Sequence, residues 1–446
     1  MAMAHEHMAQ DRHWYQVSGG VPLTGTVTAA GAKNSVTKLL VASLLTDRPC
    51  TLDLVPDILE VHLVLDMLAE LGTKVSWTGP GQVTVHTPTV TATALSEAYS
   101  GVNRIPVLMI GPLLHRVGEA YLPLPGGCTI GKRPIDYHLS GLAEMGAAIT
   151  EELRSVKVHA GRLNGVHFTL PFPSVGATES LLLAGVLAKG TTVIQGAAVE
   201  PEVIDLVMFL QKMGALVNVE TDRTITIEGV EKLRGAEHSV IPDRIETASF
   251  AALAVATGGR IEVAGAQQEH LVTFLNAMRK VGGEFAPTDG GLVFWRERPL
   301  TAVHQETGVH PGFMTDWQQP FTVMLTQAKG TSIMHETIYE DRFGYTQQLA
   351  EMGADISLSD SCLGSGGCRW HRRGFQHTAI VTGPVALNGA HLAIPDLRAG
   401  FSYIMAALIA DGTSTVAGTR YLERGYEDPV GKLRAVGAHI ETITAQ

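Results

Sequence analysis

LAELGTKVSW (residues 68–77) recurs along the chain as LAEMGAAIT (142–150), LQKMGALVNV (210–219), MRKVGGEF (278–285), LAEMGADISL (349–358) and LRAVGAHIETI (433–443). Each copy reads as the apolar end of a helix, a glycine, then the start of a strand. The copies lie roughly 70 residues apart, with a longer last interval. A solenoid can show such a period, but this unit is large and mixed. Ahead of each copy stands an Ala/Leu-rich helix running through Gly into a β-branched strand. LLLAGVLAKGTTVIQGA (181–197) is the clearest case and IMAALIADGTSTVAG (404–418) a near copy; AALAVATGGRIEVAG (251–265) and FTVMLTQAKGTSIMH (321–335) are weaker. A second helix follows, such as PEVIDLVMFLQKMG (201–214). The predicted unit is helix, strand, helix, strand. Six units imply an α/β fold of two domains with three repeats each. LLVASLL, LLLAGVLA and YIMAALIA are apolar on every face, which predicts helices buried all round with sheets outside. This is a two-domain inside-out α/β barrel; an ordinary α/β sandwich is the alternative.

At 446 residues the chain is long enough for two domains or three. Its net charge of −11 argues against a nonspecific nucleic-acid binder, though a cleft can still gather cations for an anionic substrate. Four cysteines, Cys50, Cys128, Cys362 and Cys368, do not make a disulfide framework at this size. No apolar run reaches bilayer length. The polar, His-containing residues 1–12 read as a disordered tail without a signal or anchor, so a cytoplasmic location is expected.

Several residues could carry chemistry. Lys33 and Asn34 stand where a strand passes through Gly31 into a helix, which suits an anion site or simply a cap beside a surface lysine. Cys128 lies in LPLPGGCTIGKRPIDYHL, a Gly/Pro loop where Lys132 and Arg133 would favour the thiolate. It could equally be a small apolar residue under a turn. Cys50 reads as structural. Asp316, in HPGFMTDWQQPF, is a helix N-cap or a general base. Arg342, Arg398 and Arg424 could grip phosphate or carboxylate, or could pair with Asp341, Asp396 and Glu423 nearby. Cys362, Cys368, His371 and His377, in SCLGSGGCRWHRRGFQH, superficially form a zinc set. Their C-x5-C spacing is wide, and the segment reads as a basic, Gly-rich surface insertion that lengthens the last repeat.

The phrases GAKNS, PGGCTIGKRP, PSVGATE, EPEVIDLV, PDRIETASF, HPGFMTDWQ, YEDRFG, PDLRAG and ERGYED run in order across nearly the whole chain. On these the sequence resembles the enolpyruvyl transferase (EPSP synthase) family, and within it the UDP-N-acetylglucosamine 1-carboxyvinyltransferases. The EPSP synthases proper lack the cysteine loop, and their Gly-Asn-Ala-Gly type signature is not found here. The resemblance implies the inside-out barrel, with a discontinuous domain 13–32 and 243–446 and a second domain 33–242 carrying the Cys128 loop. It implies transfer of the enolpyruvyl group of phosphoenolpyruvate to the 3-hydroxyl of UDP-N-acetylglucosamine, releasing phosphate, the first committed step of peptidoglycan synthesis. No cofactor or metal is implied, and the partners are the two small molecules, with no nucleic acid or membrane. A monomer or weak homo-oligomer is expected.

The same resemblance implies roles by position. Lys33, Arg104, Arg342, Asp396, Arg398 and Arg424 would surround phosphoenolpyruvate. Asn34, Arg133, Pro134, Asp136, His138, Ser174, Val175, Gly176, Glu200, Arg244 and Ile338 would line the sugar nucleotide. Thr315 and Asp316 would lie at the acceptor hydroxyl, and Cys128 would be the loop cysteine that fosfomycin alkylates. Lys33, Cys128, Asp316 and Arg424 form the expected catalytic set. Two positions depart from many members, which have Trp at Leu108 and Lys at Phe172. They keep open a paralogue acting on another nucleotide, such as UMP in nucleoside-antibiotic assembly. The insertion at 360–377 is absent from shorter members.

Overall fold

The computed structural model describes residues 13–123, 135–364 and 368–444. Six glycines close the repeated phrase, and all six take the left-handed backbone that a side chain resists: Gly72, Gly146, Gly214, Gly282, Gly353 and Gly437, at φ between 90° and 116°. The turn from helix to strand is therefore built the same way six times.

Among the described residues the chain divides into two units, 31–241 and 13–30 with 242–444. Each contains three sheets. One shows the common plan. His167–Thr169 runs parallel to Thr191–Gln195, across the helix Val175–Gly185. Thr191–Gln195 then pairs antiparallel with Ile225–Glu228, which pairs with Leu216–Val219. The unit is thus strand, helix, strand, helix, strand, strand, two strands more than the sequence suggests. One missed strand spans only three residues at a sheet edge, too short to display an alternation. The other returns through a tight turn at residues 220–224, where the pattern reads as loop.

Three sheets need distant segments. Thr24–Thr28 runs parallel to Arg260–Ala264, and Glu237–Ser239 parallel to Cys50–Asp53. The N-terminal strand His13–Ser18 sits between Thr413–Ala417 and His439–Thr444, completing the last repeat.

The first helix of each repeat lies in the interior of its unit. In the unit 242–444, every residue of 244–256, 318–325 and 397–408 is buried. The helices Arg244–Thr257, Gln318–Leu325 and Leu397–Ile409 touch one another pairwise, with the sheets outside them. Small side chains permit this. In the unit 31–241, a Cβ on Gly111 would lie 3.1 Å from the Ala184 backbone, so the helices Ile110–Val117 and Val175–Gly185 meet nearly backbone to backbone. Each unit has its own apolar core. No helix among the described residues is long and apolar enough to cross a membrane.

Candidate active site

The unit 31–241 gathers helix starts. Lys33 and Asn34 open the helix Lys33–Ala42, whose N-cap Ala32 offers no side-chain cap. Asn34 therefore lies in the first turn and is not the capping residue considered from sequence. Three further helix starts carry candidate residues: Asp136 opens Asp136–Glu144, Ser174 caps Val175–Gly185 by accepting from the Ala177 N–H at 3.4 Å, and Glu200 is the N-cap position of Pro201–Met213. Arg104 precedes the helix Ile105–Leu108.

His138 is buried, and its ring passes close to Gly176, where a Cβ would sit 3.1 Å from Cε1. Burial, with Arg104 nearby, pushes the imidazole down to about 3, so it is neutral near pH 7. A neutral ring can donate and accept at once, which suits polar groups of a sugar or base.

Carboxylates gather near the starts of these helices. Lys38 approaches the buried Glu179 at 3.9 Å. Burial raises the Glu179 carboxyl to about 7; Lys38 opposes this, while Glu202 and Glu200 add to it. Asp205 accepts from the Ser35 hydroxyl and lies 2.7 Å from His238 Nε2.

The unit 242–444 builds a second group around Asp316. Asp316 lies inside the single turn Thr315–Trp317, whose N-cap is Met314. The capping alternative therefore fails. Its carboxylate instead accepts from Arg342 Nη2 at 2.6 Å and Arg398 Nε at 3.1 Å. Burial works against the charge of Arg398, but Asp316, with Tyr426 and Asp243, together outweigh it and hold the guanidinium above its ordinary value. Gln319, with its amide oxygen turned to the guanidinium, accepts from Arg342 Nε at 2.8 Å. The turn is set by aromatic packing: Phe313, Trp317, Phe321 and Phe274 meet edge to face or stacked. Arg244, buried at the start of its helix, lies over Trp317 at 5.3 Å.

The neighbouring-residue ion pairs considered for the arginines do not explain Arg342 and Arg398. Asp396 spends its carboxylate as an N-cap, accepting from the N–H groups of Arg398 and Ala399. Glu423 accepts from Tyr15 Oη at 2.7 Å. Arg424 stands just past the C-terminal end of the short helix Thr419–Glu423.

Glu336 was not singled out from sequence. It is fully buried, accepts from Thr315 Oγ1 at 2.9 Å, and accepts from the N–H groups of Ile338 and Tyr339 at 2.7 and 3.2 Å. Burial raises its carboxyl, against the pull of Arg342. A glutamate at the end of an apolar strand, TSIMHE, was the available signal. Gln319 was signalled by two successive glutamines in a buried helix.

The structure thus assembles Thr315, Asp316, Ile338, Arg342, Asp396 and Arg398 in one unit, and Arg104, His138 and Gly176 in the other. Cys128, Arg133 and Pro134 lie outside the described residues. Leu108 is buried in the core of its unit, so that departure alters packing. The half-buried Phe172 stands two residues before the Ser174 cap.

A family model described as EPSP synthase (3-phosphoshikimate 1-carboxyvinyltransferase) matches residues 17–433. The chain is 49% identical over 439 residues to the UDP-N-acetylglucosamine 1-carboxyvinyltransferase of Protochlamydia amoebophila, covering 96% of this chain and 94% of that one. It is 38% identical to UDP-N-acetylglucosamine 1-carboxyvinyltransferase 2 of Bacillus cereus, at 96% and 97% coverage. Among solved structures, the enolpyruvyl transferase NikO from Streptomyces tendae aligns with a TM-score of 0.84 at 23% identity, covering 98% of this chain and 100% of that one. An EPSP synthase from Acinetobacter baumannii aligns at 0.72 and 18% identity, covering 97% and 100%. These two structural likenesses bear on the fold alone.

Proposed function

This chain belongs to the EPSP synthase family of enolpyruvyl transferases, and from that premise we propose that it transfers the enolpyruvyl group of phosphoenolpyruvate to the 3-hydroxyl of UDP-N-acetylglucosamine. The observation that carries the reading is the Asp316 carboxylate held by two buried arginines. Arg342 and Arg398 are thereby aligned on a carboxylate before any substrate arrives. Phosphoenolpyruvate offers them a carboxylate and a phosphate of the same bidentate kind. An arginine that turns to substrate leaves Asp316 with an uncompensated charge and an acceptor oxygen for the sugar hydroxyl.

In the reaction, a proton adds to the methylene carbon of phosphoenolpyruvate and makes its neighbour electrophilic. The sugar hydroxyl oxygen bonds to that neighbour and gives its proton toward Asp316. The bond to the phosphate oxygen then breaks, a proton leaves the methyl carbon, and the enol ether remains. Lys33, Arg398 and Arg424 would balance the changing phosphate charge, a preorganised electrostatic contribution that needs no rearrangement at the moment of reaction. Thr315, fixed on Glu336, keeps the Asp316 turn in register. Cys128 would supply the proton or hold an adduct, and fosfomycin would alkylate it. Cys50, buried and pushed up to about 11, lacks the thiolate for that chemistry.

This reading places the protein in peptidoglycan synthesis and in the cytoplasm. Relatives at 38% to 49% identity carrying the UDP-N-acetylglucosamine name favour that acceptor over UMP. Phosphate release from phosphoenolpyruvate with a panel of UDP-sugars and UMP tests it. Release is expected with UDP-N-acetylglucosamine; release with UMP alone would overturn the acceptor. Peptide mapping after fosfomycin is expected to find the adduct on Cys128, and an adduct on Cys362 or Cys368 with loss of activity would remove Cys128 from its role.

A further inference from the structure

The segment expected to be only a basic surface insertion has two faces. Arg369, His371, Arg372 and Arg373 are exposed, as expected, but Trp370 and His377 are buried and both cysteines turn inward. Ligand atoms of Cys362, Cys368, His377 and His335 all lie within 4.8 Å of one another. His371, part of the set suggested by sequence, is not among them. His335, at the end of the strand Gly330–His335, takes its place. The pairing of that strand with Thr378–Gly383 puts His335 opposite Thr378, one residue beyond His377.

The hydrogen bonds settle which ring nitrogen each histidine presents. The Thr378 hydroxyl donates to the Ser361 carbonyl at 2.8 Å, so its oxygen is left to accept from His335 Nδ1, also at 2.8 Å. His335 then carries its proton on Nδ1. Its Nε2 is an unprotonated lone pair with no hydrogen-bond partner among the described residues, on a residue 1% exposed. Leaving such an atom buried and unmet is costly. His377 repeats the arrangement. Its Nδ1 lies 2.7 Å from the Phe375 carbonyl, which can only accept, and its Nε2 faces Cys362 Sγ at 3.3 Å. Both rings therefore offer Nε2 to the same point, each oriented by a bond on the opposite nitrogen, as in protein metal sites.

The sulfurs complete the set. Cys362 Sγ and Cys368 Sγ are 3.1 Å apart, well beyond the ~2.05 Å of a disulfide. Zn–S and Zn–N bonds of about 2.3 and 2.0 Å in a tetrahedron separate ligand atoms by roughly 3.3–3.8 Å, so only small movements are needed. We propose that Cys362, Cys368, His335 and His377 form a structural zinc site that fastens the insertion to the sheet beneath it. Two thiolates and two neutral imidazoles neutralise a divalent, thiophilic ion, and four protein ligands leave no open position for catalysis. The wide C-x5-C spacing is accommodated because one histidine comes from a strand 27 residues before Cys362 and the other stands immediately before the strand Thr378–Gly383.

The site is tested on the full-length protein, reduced, supplied with zinc and dialysed without chelator. Elemental analysis is expected to find about one zinc per chain. Cys362→Ser with Cys368→Ser should lower it at least tenfold, while His371→Ala should keep it. Cobalt in place of zinc should give thiolate charge-transfer absorption and the intense visible bands of tetrahedral cobalt, a readout on the unaltered protein that does not depend on a variant folding. Zinc that survives both cysteine replacements would come from elsewhere, such as the histidines near the N-terminus, and would overturn the proposal. So would less than a tenth of an equivalent in the reduced wild type, or a cobalt spectrum without thiolate absorption.

Discussion

Asp316 is the residue at which sequence and structure diverge most usefully. Its motif, MTDWQ, is legible, but its partners are 26 and 82 residues away and no local pattern announces them. A helix-capping aspartate and an aspartate clamped by two arginines look alike in sequence; only the tertiary fold separates them. The distinction changes what Asp316→Asn should do. Asparagine caps nearly as well as aspartate, so a cap would tolerate the change. The clamp would not, because it loses charge-assisted bonds to Arg342 and Arg398, which are 2% and 8% exposed. The variant is expected to lose about 1.5–3 kcal/mol of stability and on the order of 10²- to 10⁴-fold in kcat. Steady-state kinetics and a melting curve on the same preparation check both. A folded variant keeping more than about a tenth of wild-type kcat would take Asp316 out of the reaction. Glu336 and the zinc ligand His335 were hidden for the same reason, since each acquires its role from a neighbour supplied by another repeat element.

At the scale of elements, the helix-to-strand turns were legible because they need a particular backbone. Glycine at the left-handed position is written into the chain at all six places. Helices apolar on all faces likewise announced an interior position. Edge strands of three residues were not legible, because their pairing partner, not their own composition, makes them strands. The helix Val175–Gly185 carries a further consequence of being buried all round: it takes Glu179 inside with it. The folded carboxyl sits at about 7 against 4.5 unperturbed. A raised folded value means that the contribution is fully present below about pH 4.5 and is lost as pH rises through 7. Glu179→Gln keeps the shape without the titration. Its stability relative to wild type should therefore improve by about 2 kcal/mol between pH 5 and pH 8. Urea unfolding at the two pH values measures the difference, and a constant offset between the curves would mean that Glu179 is solvated better than its burial implies.

For the whole molecule, the relevant fact is that burial is organised twice. Every member of one apolar core falls within 31–241, and every member of the other within 13–30 or 242–444. Such a chain need not unfold in one cooperative step. We expect calorimetry to resolve two components, with the calorimetric enthalpy exceeding the van't Hoff value for a single transition. The two substitutions above then serve as labels, because each touches one core. Asp316→Asn should lower one component only. At roughly 2–4 °C per kcal/mol for a unit of this size, the shift is about 3–12 °C. Glu179→Gln should move the other component upward at pH 8 and leave the first in place. If both substitutions shifted a single transition together, the two cores would be one thermodynamic unit, and the separation drawn from burial would not describe how this molecule comes apart.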